Sequence, residues 1–97
     1  PAKGGSIPPG TAINMLYYAY MLKSISPGFK KTYVGYTNNL ELRLDKHNNN
    51  KGAKSTKGYK WLLIYSKKFK TKSEAMSFEY KLKNNKNLRK ELLKKSL

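Results

Sequence analysis

The sequence predicts a small α/β domain in which a three-stranded, mainly antiparallel sheet is flanked by helices. Two patterns carry that expectation. Three short runs rich in aromatic and β-branched residues are each bounded by turn residues, and segments with a helical apolar period alternate with them. Length supports it, because 97 residues of 38% hydrophobic content suit one compact core and leave no room for a second.

The elements follow in order. Residues 1–14, rich in Gly and Pro at the start and without periodicity, are expected to form a flexible arm, with Met15 a natural start for a single domain over residues 15–97. Residues 16–22 suit a strand and residues 23–31, with Ser26, Pro27 and Gly28, a loop. Residues 32–36 give a second strand, so the two make a hairpin with a long turn. Asn38 and Glu41 form an N-x-x-E helix start, and the helix is expected over residues 39–47 until Asn48, Asn49, Asn50 and Gly52 end it. A basic loop over residues 51–60 leads to a third strand over residues 61–69. Thr71 and Glu74 make a capping box for a helix reaching about Leu82. Asn87 is expected to cap a last helix whose apolar stripe is Leu88, Leu92 and Leu93.

Charge narrows the partner. With 21 Lys+Arg against 5 Asp+Glu, the formal charge is +16, and the cations other than Lys3 run from Lys23 to Lys95. Nucleic acid is the commonest polyanion for such a surface, and a basic ribosomal or chromatin-type protein is the non-enzymatic reading. The absence of cysteine excludes disulfides and thiolate zinc modules. No apolar run approaches the length of a membrane span and no signal peptide is visible, so no membrane partner and an intracellular location are expected.

A few residues are not explained by folding alone. On the helix opened by Thr71, Ala75, Phe78 and Leu82 share a face, and Glu79 falls beside them. An acid on a buried side costs several kcal/mol unless a cation or metal pairs with it. A lysine bridge at the rim is the competing reading. On the middle helix, Leu40, Arg43, Leu44 and His47 follow the i, i+3, i+4, i+7 spacing, which turns Arg43 and His47 toward the sheet. Arg43 is one of only two arginines, and its planar fork suits a phosphate better than lysine does; an ion pair with Glu79 is the alternative. His47 could equally be a helix C-terminal cap. Among eight tyrosines, Tyr20 and Tyr33 fall on neighbouring strands, and Tyr33 is followed at Gly35 by a strand glycine of the kind that marks close approach.

Taken together these residues resemble a family. Tyr18-Ala19-Tyr20, then Tyr33-Val34-Gly35, then Leu40-x-x-Arg43-x-x-x-His47 and a helical Glu79 look like the GIY-YIG nuclease domain, over nearly the whole chain from Leu16 to about Leu82. Tyr36-Thr37, the loop Lys51-Gly52-Ala53-Lys54-Ser55-Thr56-Lys57-Gly58 and Ser73-Glu74-Ala75 are similar to Slx1-type structure-selective endonucleases and to small stand-alone bacterial members. Tyr18 and Ala19 depart from the usual glycine and aliphatic of the first motif. The cysteine-rich zinc domain through which Slx1-type proteins hold a scaffold partner is not found in this sequence.

The resemblance implies a divalent-metal-dependent endonuclease acting on DNA, with Glu79 holding one Mg²⁺ or Mn²⁺. It further implies that Arg43 stabilises charge on the phosphorane, Tyr20 activates water, Tyr33 contacts phosphate, and His47 supports the tyrosine or binds phosphate. Because a phenol is a poor base at its reference pKa of about 10, Tyr20 in that role is expected to have a depressed value. Lys51, Lys54, Lys57 and Lys60 would grip the DNA backbone, and branched, flapped or junction DNA is the expected substrate.

Overall fold

A computed structural model describes residues 16–25 and 31–96. The chain runs β1 (Tyr17–Ser24), β2 (Thr32–Thr37), α1 (Leu40–Asn48), a 3-10 turn (Lys54–Thr56), β3 (Trp61–Phe69), α2 (Lys72–Lys83) and α3 (Lys86–Lys95). The arm read at residues 1–14 and the Ser26-Pro27-Gly28 turn lie outside the described residues.

The first strand sits in the middle. Strand order is β2-β1-β3, with both neighbours antiparallel to β1. Four consecutive β1 residues, Ala19, Tyr20, Met21 and Leu22, are buried, and successive strand residues point to opposite faces, so both faces of the sheet are covered. On one face Tyr20, Leu22 and Trp61 pack with Leu40 and Leu44 of α1. On the other, Met21 and Val34 pack with Leu82 and with Phe78, Leu88 and Leu92 from α2 and α3. The expected sheet flanked by helices is therefore present, with α1 on one side and the α2–α3 pair on the other.

A β-bulge lets β3 serve both layers. Met21 pairs with Tyr65 but Leu22 pairs with Leu63, which leaves Ile64 as an extra residue on β3. Leu63 consequently stays with the α1 layer, whereas Ile64 and Tyr65 both join the α2–α3 layer.

Two helix starts differ from the sequence expectation. The cap of α1 is Asn39 rather than Asn38: its Oδ1 accepts the Leu42 N–H at 3.1 Å, and its own N–H is taken by Thr37 Oγ1 at 3.1 Å. Thr37 ends β2 and fixes the turn one residue further on. Glu41 then lies in the first turn, where the helix dipole favours a carboxylate, and closes no capping box. The cap of α3 is Asn85 rather than Asn87, with Oδ1 accepting the Leu88 N–H at 3.0 Å. Asn84 closes α2, so the link between the two helices is this short. Thr71 does cap α2, accepting from the Glu74 N–H at 3.2 Å while its hydroxyl donates to Glu74 Oε1 at 3.0 Å. The first strand also runs beyond residue 22 to Ser24, whose N–H donates to the Lys31 carbonyl at 2.9 Å.

Candidate active site

Tyr20 and Gly35 stand opposite each other on β1 and β2, and the glycine makes the room the phenol needs. A Cβ at Gly35 would lie 2.6 Å from the Tyr20 hydroxyl and 2.9 Å from Tyr33 Cε2. No side chain fits there without moving a ring. Tyr33 pairs with Leu22, so it emerges on the same sheet face as Tyr20, and its ring centroid lies 4.8 Å from that of His47.

The first helix supplies the other two groups. With Leu40 and Leu44 seated on the Tyr20–Leu22–Trp61 cluster, Arg43 and His47 are carried toward the same place. His47 is fully buried, and the helix is capped at Asn49, so His47 is no terminal cap. Its Nε2 is 2.9 Å from Tyr20 Oη, and its Nδ1 is 3.0 Å from the hydroxyl of Thr56, which is itself completely buried. Arg43 Nε donates to Tyr20 Oη at 3.4 Å, and the guanidinium also engages Tyr33. The Thr56 hydroxyl donates to the Ala53 carbonyl at 2.7 Å.

The electrostatics of this line overturn one expectation. Burial pushes the Tyr20 phenol up to about 12, outweighing the lowering by the Arg43 hydrogen bond, and the charges of Tyr33 and, least of all, Glu79 add to the rise. Tyr20 is thus not poised as a phenolate, because hiding its hydroxyl from water penalises the charged form more than one guanidinium rewards it. His47 is pushed down to about 4, first by burial and then by the charge of Arg43. It is neutral at pH 7. Arg43 is pushed further up, chiefly by its bond to Tyr20.

Glu79 does not pair with Arg43. Its Oε2 lies 3.6 Å from Lys83 Nζ one turn along α2, a pairing that leaves the lysine half exposed and contributes little to stability. Its effect on Tyr20 places it within electrostatic reach of the phenol. Among the described residues no group of three or more His, Cys, Asp or Glu side chains is gathered. A single, partly exposed carboxylate beside a displaceable lysine suits Mg²⁺, which retains most of its water and takes one or two carboxylates.

The basic loop is more ordered than its composition suggests. Asn50 adopts a left-handed φ of 60°, and its Oδ1 accepts the Gly58 N–H at 2.8 Å. Trp61 closes the other end, its N–H donating to Asn48 Oδ1 and its indole N–H to the Thr56 carbonyl at 3.0 Å. Lys51, Lys54 and Lys57 are exposed on this braced loop. Lys60, also exposed, donates to the Asn48 carbonyl at 2.8 Å, so it also secures the end of α1. The structure therefore brings Tyr20, Tyr33, Arg43 and His47 together, puts Glu79 within electrostatic reach of Tyr20 and spreads the lysines along the neighbouring loop. A cleft of about 510 Å³ opens beside Arg43, with Tyr36 and Leu42 in its lining and Lys46 and Lys72 adding positive charge.

Sequence reasoning missed two members. Thr56 is the buried partner of His47, and Gly52 leaves space for the ring, since a Cβ there would lie 2.5 Å from His47 Nδ1. The available signal was a threonine and a glycine inside a run otherwise made of lysines and small residues.

Residues 16–92 match the model of the GIY-YIG catalytic domain. The chain belongs to the GIY-YIG family of nuclease domains. It is similar to a UPF0213 protein of Oceanobacillus iheyensis, 47% identical over 68 residues that cover 69% of this chain and 76% of that one. A UPF0213 protein of Staphylococcus haemolyticus is 43% identical over 68 residues, covering 69% and 79% respectively. Among solved structures, the solution structure of a UPF0213 protein from Bacillus halodurans aligns with 81% of this chain and 82% of its own at 36% identity, with a TM-score of 0.43.

The buried neutral His47 makes stability pH-dependent. Unfolded, the imidazole binds a proton near 6.5; folded, only near 4, so the unfolded state takes up the extra proton between those values. The contribution is complete above pH 6.5 and is lost as pH falls toward 4, at a cost on the order of 3 kcal/mol. Urea unfolding at pH 7 and pH 4 should show that loss in the wild type and a markedly smaller one in His47→Gln.

Proposed function

We propose that this chain, over residues 15–97, is a divalent-metal-dependent endonuclease that hydrolyses DNA phosphodiester bonds and selects branched or flapped DNA by shape. The observation that carries this reading is the line Arg43–Tyr20–His47: a phenol hydroxyl that accepts from a guanidinium and is hydrogen-bonded to a neutral imidazole, at the edge of a cationic surface. A solvated surface gains nothing from such an arrangement. A water-activating site does.

The chemistry follows from the atoms. Tyr20 Oη accepts a proton from the attacking water as its own proton passes to His47 Nε2, so charge never rests on the phenol. A fully formed phenolate–imidazolium pair in the free protein would be strongly uphill, because burial holds the phenol up and the imidazole down. Substrate eases the transfer. A phosphate on Arg43 neutralises the charge that, after burial, does most to keep the imidazole unprotonated. Arg43 donates from Nε to Tyr20 and also engages Tyr33, and the remaining N–H groups of its guanidinium face the phosphate, where negative charge grows as the water oxygen bonds to phosphorus and the bond to the leaving sugar oxygen breaks. The leaving oxygen takes up a proton from solvent, and the proton held on His47 returns through Tyr20 to solvent once the product departs, which restores both neutral groups. Tyr33, on the same face, contacts a phosphate oxygen. Glu79 would hold the divalent ion, which when bound neutralises phosphate charge and lowers the barrier to water attack.

Lys51, Lys54, Lys57 and Lys60 follow the backbone on one side and Lys46 and Lys72 line the cleft on the other. Contacts of this kind fix position without reading sequence, which supports recognition of backbone geometry. The rival reading, a basic binding module, makes Glu79 no more than the partner of Lys83.

The reading is tested with flaps, forks, four-way junctions and linear duplexes, each in two unrelated sequences, with Mg²⁺ or Mn²⁺. Cleavage near the branch in both sequences is expected, with Glu79→Gln inactive and still bound to DNA. Cutting that tracks one sequence across all shapes would contradict the shape reading, and undiminished cutting by Glu79→Gln would remove the carboxylate from the mechanism. Replacing Lys54 and Lys57 by alanine together should weaken binding and flatten the slope of log K against log salt by up to about two units, measured by fluorescence anisotropy across a salt series.

A further inference from the structure

We infer that Thr56 is a positioning residue whose buried hydroxyl fixes the proton of His47 on Nδ1, and so keeps Nε2 open to receive the proton of Tyr20. The assignment comes from following hydrogens along the chain of contacts. Thr56 Oγ1 has one hydrogen and lies between two groups, the Ala53 carbonyl at 2.7 Å and His47 Nδ1 at 3.0 Å. The carbonyl can only accept. An oxygen–oxygen approach of 2.7 Å without a hydrogen between would set lone pair against lone pair, so the hydroxyl donates to Ala53 and Nδ1–H donates to the hydroxyl.

The other end of the ring agrees. A neutral imidazole with its hydrogen on Nδ1 presents a lone pair at Nε2, and there it meets the Tyr20 hydroxyl at 2.9 Å. Tyr20 Oη in turn accepts from Arg43 Nε. Every hydrogen in the run has an acceptor, from Arg43 through Tyr20, His47 and Thr56 to the Ala53 carbonyl. The reverse tautomer would leave the Tyr20 hydroxyl hydrogen without this partner and make Nε2–H a competitor with Arg43 for the phenol oxygen. Burial makes such a mismatch costly, because His47 and Thr56 are both wholly shielded from solvent.

The loop is shaped to deliver this one hydroxyl. Gly52 lets the chain pass against the imidazole, and the 3-10 turn over Lys54–Thr56 folds the Thr56 side chain back onto Ala53. The Trp61 indole then pins the Thr56 carbonyl. Thr56 also lies between Lys54 and Lys57, so the loop proposed to hold DNA and the imidazole proposed to take the proton are joined by a single side chain. The role of Thr56 in catalysis rests on the nuclease reading above; the tautomer does not.

The experiment therefore reads both. Long-range ¹H–¹⁵N correlation spectra of the ¹⁵N-labelled protein report which nitrogen of His47, the one histidine of the chain, carries the hydrogen. The wild type is expected to show Nδ1 protonated and Nε2 bare. Thr56→Val, similar in shape but with no acceptor, should shift the population toward Nε2–H and lower the single-turnover rate on a flapped DNA by about 10²-fold or more, with DNA affinity unchanged. Thr56→Ser should restore both signals. A wild-type spectrum with the hydrogen on Nε2 would overturn the inference outright, even if Thr56→Val did not fold. So would a Thr56→Val protein that keeps the wild-type tautomer. If no DNA is cut by any form, the nuclease reading fails while the spectra still decide the tautomer.

Discussion

Tyr20 puts a hydroxyl at the centre of the sheet, on the strand with neighbours on both sides, and a buried hydroxyl must find partners or cost about 1–3 kcal/mol. Much of the surrounding structure meets that requirement. Gly35 yields the space opposite the ring, α1 arrives with Leu40 and Leu44 as its seat and offers Arg43 and His47, and residues 51–60 fold back so that Thr56 completes the far side of the imidazole. The hydrogen bonds alternate between strand, helix and loop, so the site and the packing of α1 on the sheet are the same set of contacts. Loosening one loosens the other.

The same burial sets the chemistry. A phenol near 12 and an imidazole near 4 are both held neutral, in spite of the cationic surface around them. In the proposed relay a proton passes along this donor–acceptor line without a phenolate forming, and the charge that builds on His47 is offset by the negative charge growing on the phosphate. In the proposed nuclease the lysines would act at longer range and in solvent, on encounter and grip. On that proposal affinity and reactivity fall to different residues.

Much of this was legible in the sequence, for identifiable reasons. Strand and helix identities followed from apolar periodicity, and the span of β3 was read correctly because turn residues bracket it. Caps were misplaced at α1 and α3, where runs of asparagine offer several acceptors and only the preceding element decides which is used. The grouping of Tyr20, Tyr33, Arg43 and His47 came from helix and strand spacing together with the order of motifs. What could not be read was the third dimension of the basic loop. Thr56 sits nine residues beyond His47, and its burial depends on Asn50, Gly52 and Trp61 acting together. The direction of the Tyr20 shift was also out of reach, since it depends on how far burial outweighs the single guanidinium, and a sequence does not show depth.

The hydroxyl of Tyr20 can be removed without removing its ring. Tyr20→Phe retains the packing against Tyr33, His47 and Leu22 and deletes only the atom that joins Arg43 to His47. Single-turnover cleavage of a flapped DNA at saturating protein and Mg²⁺ is the most direct measurement. If water activation passes through that oxygen, the rate falls by about 10²–10⁴-fold while the dissociation constant for DNA stays near the wild-type value. Cleavage within a few-fold of the wild type would contradict the relay.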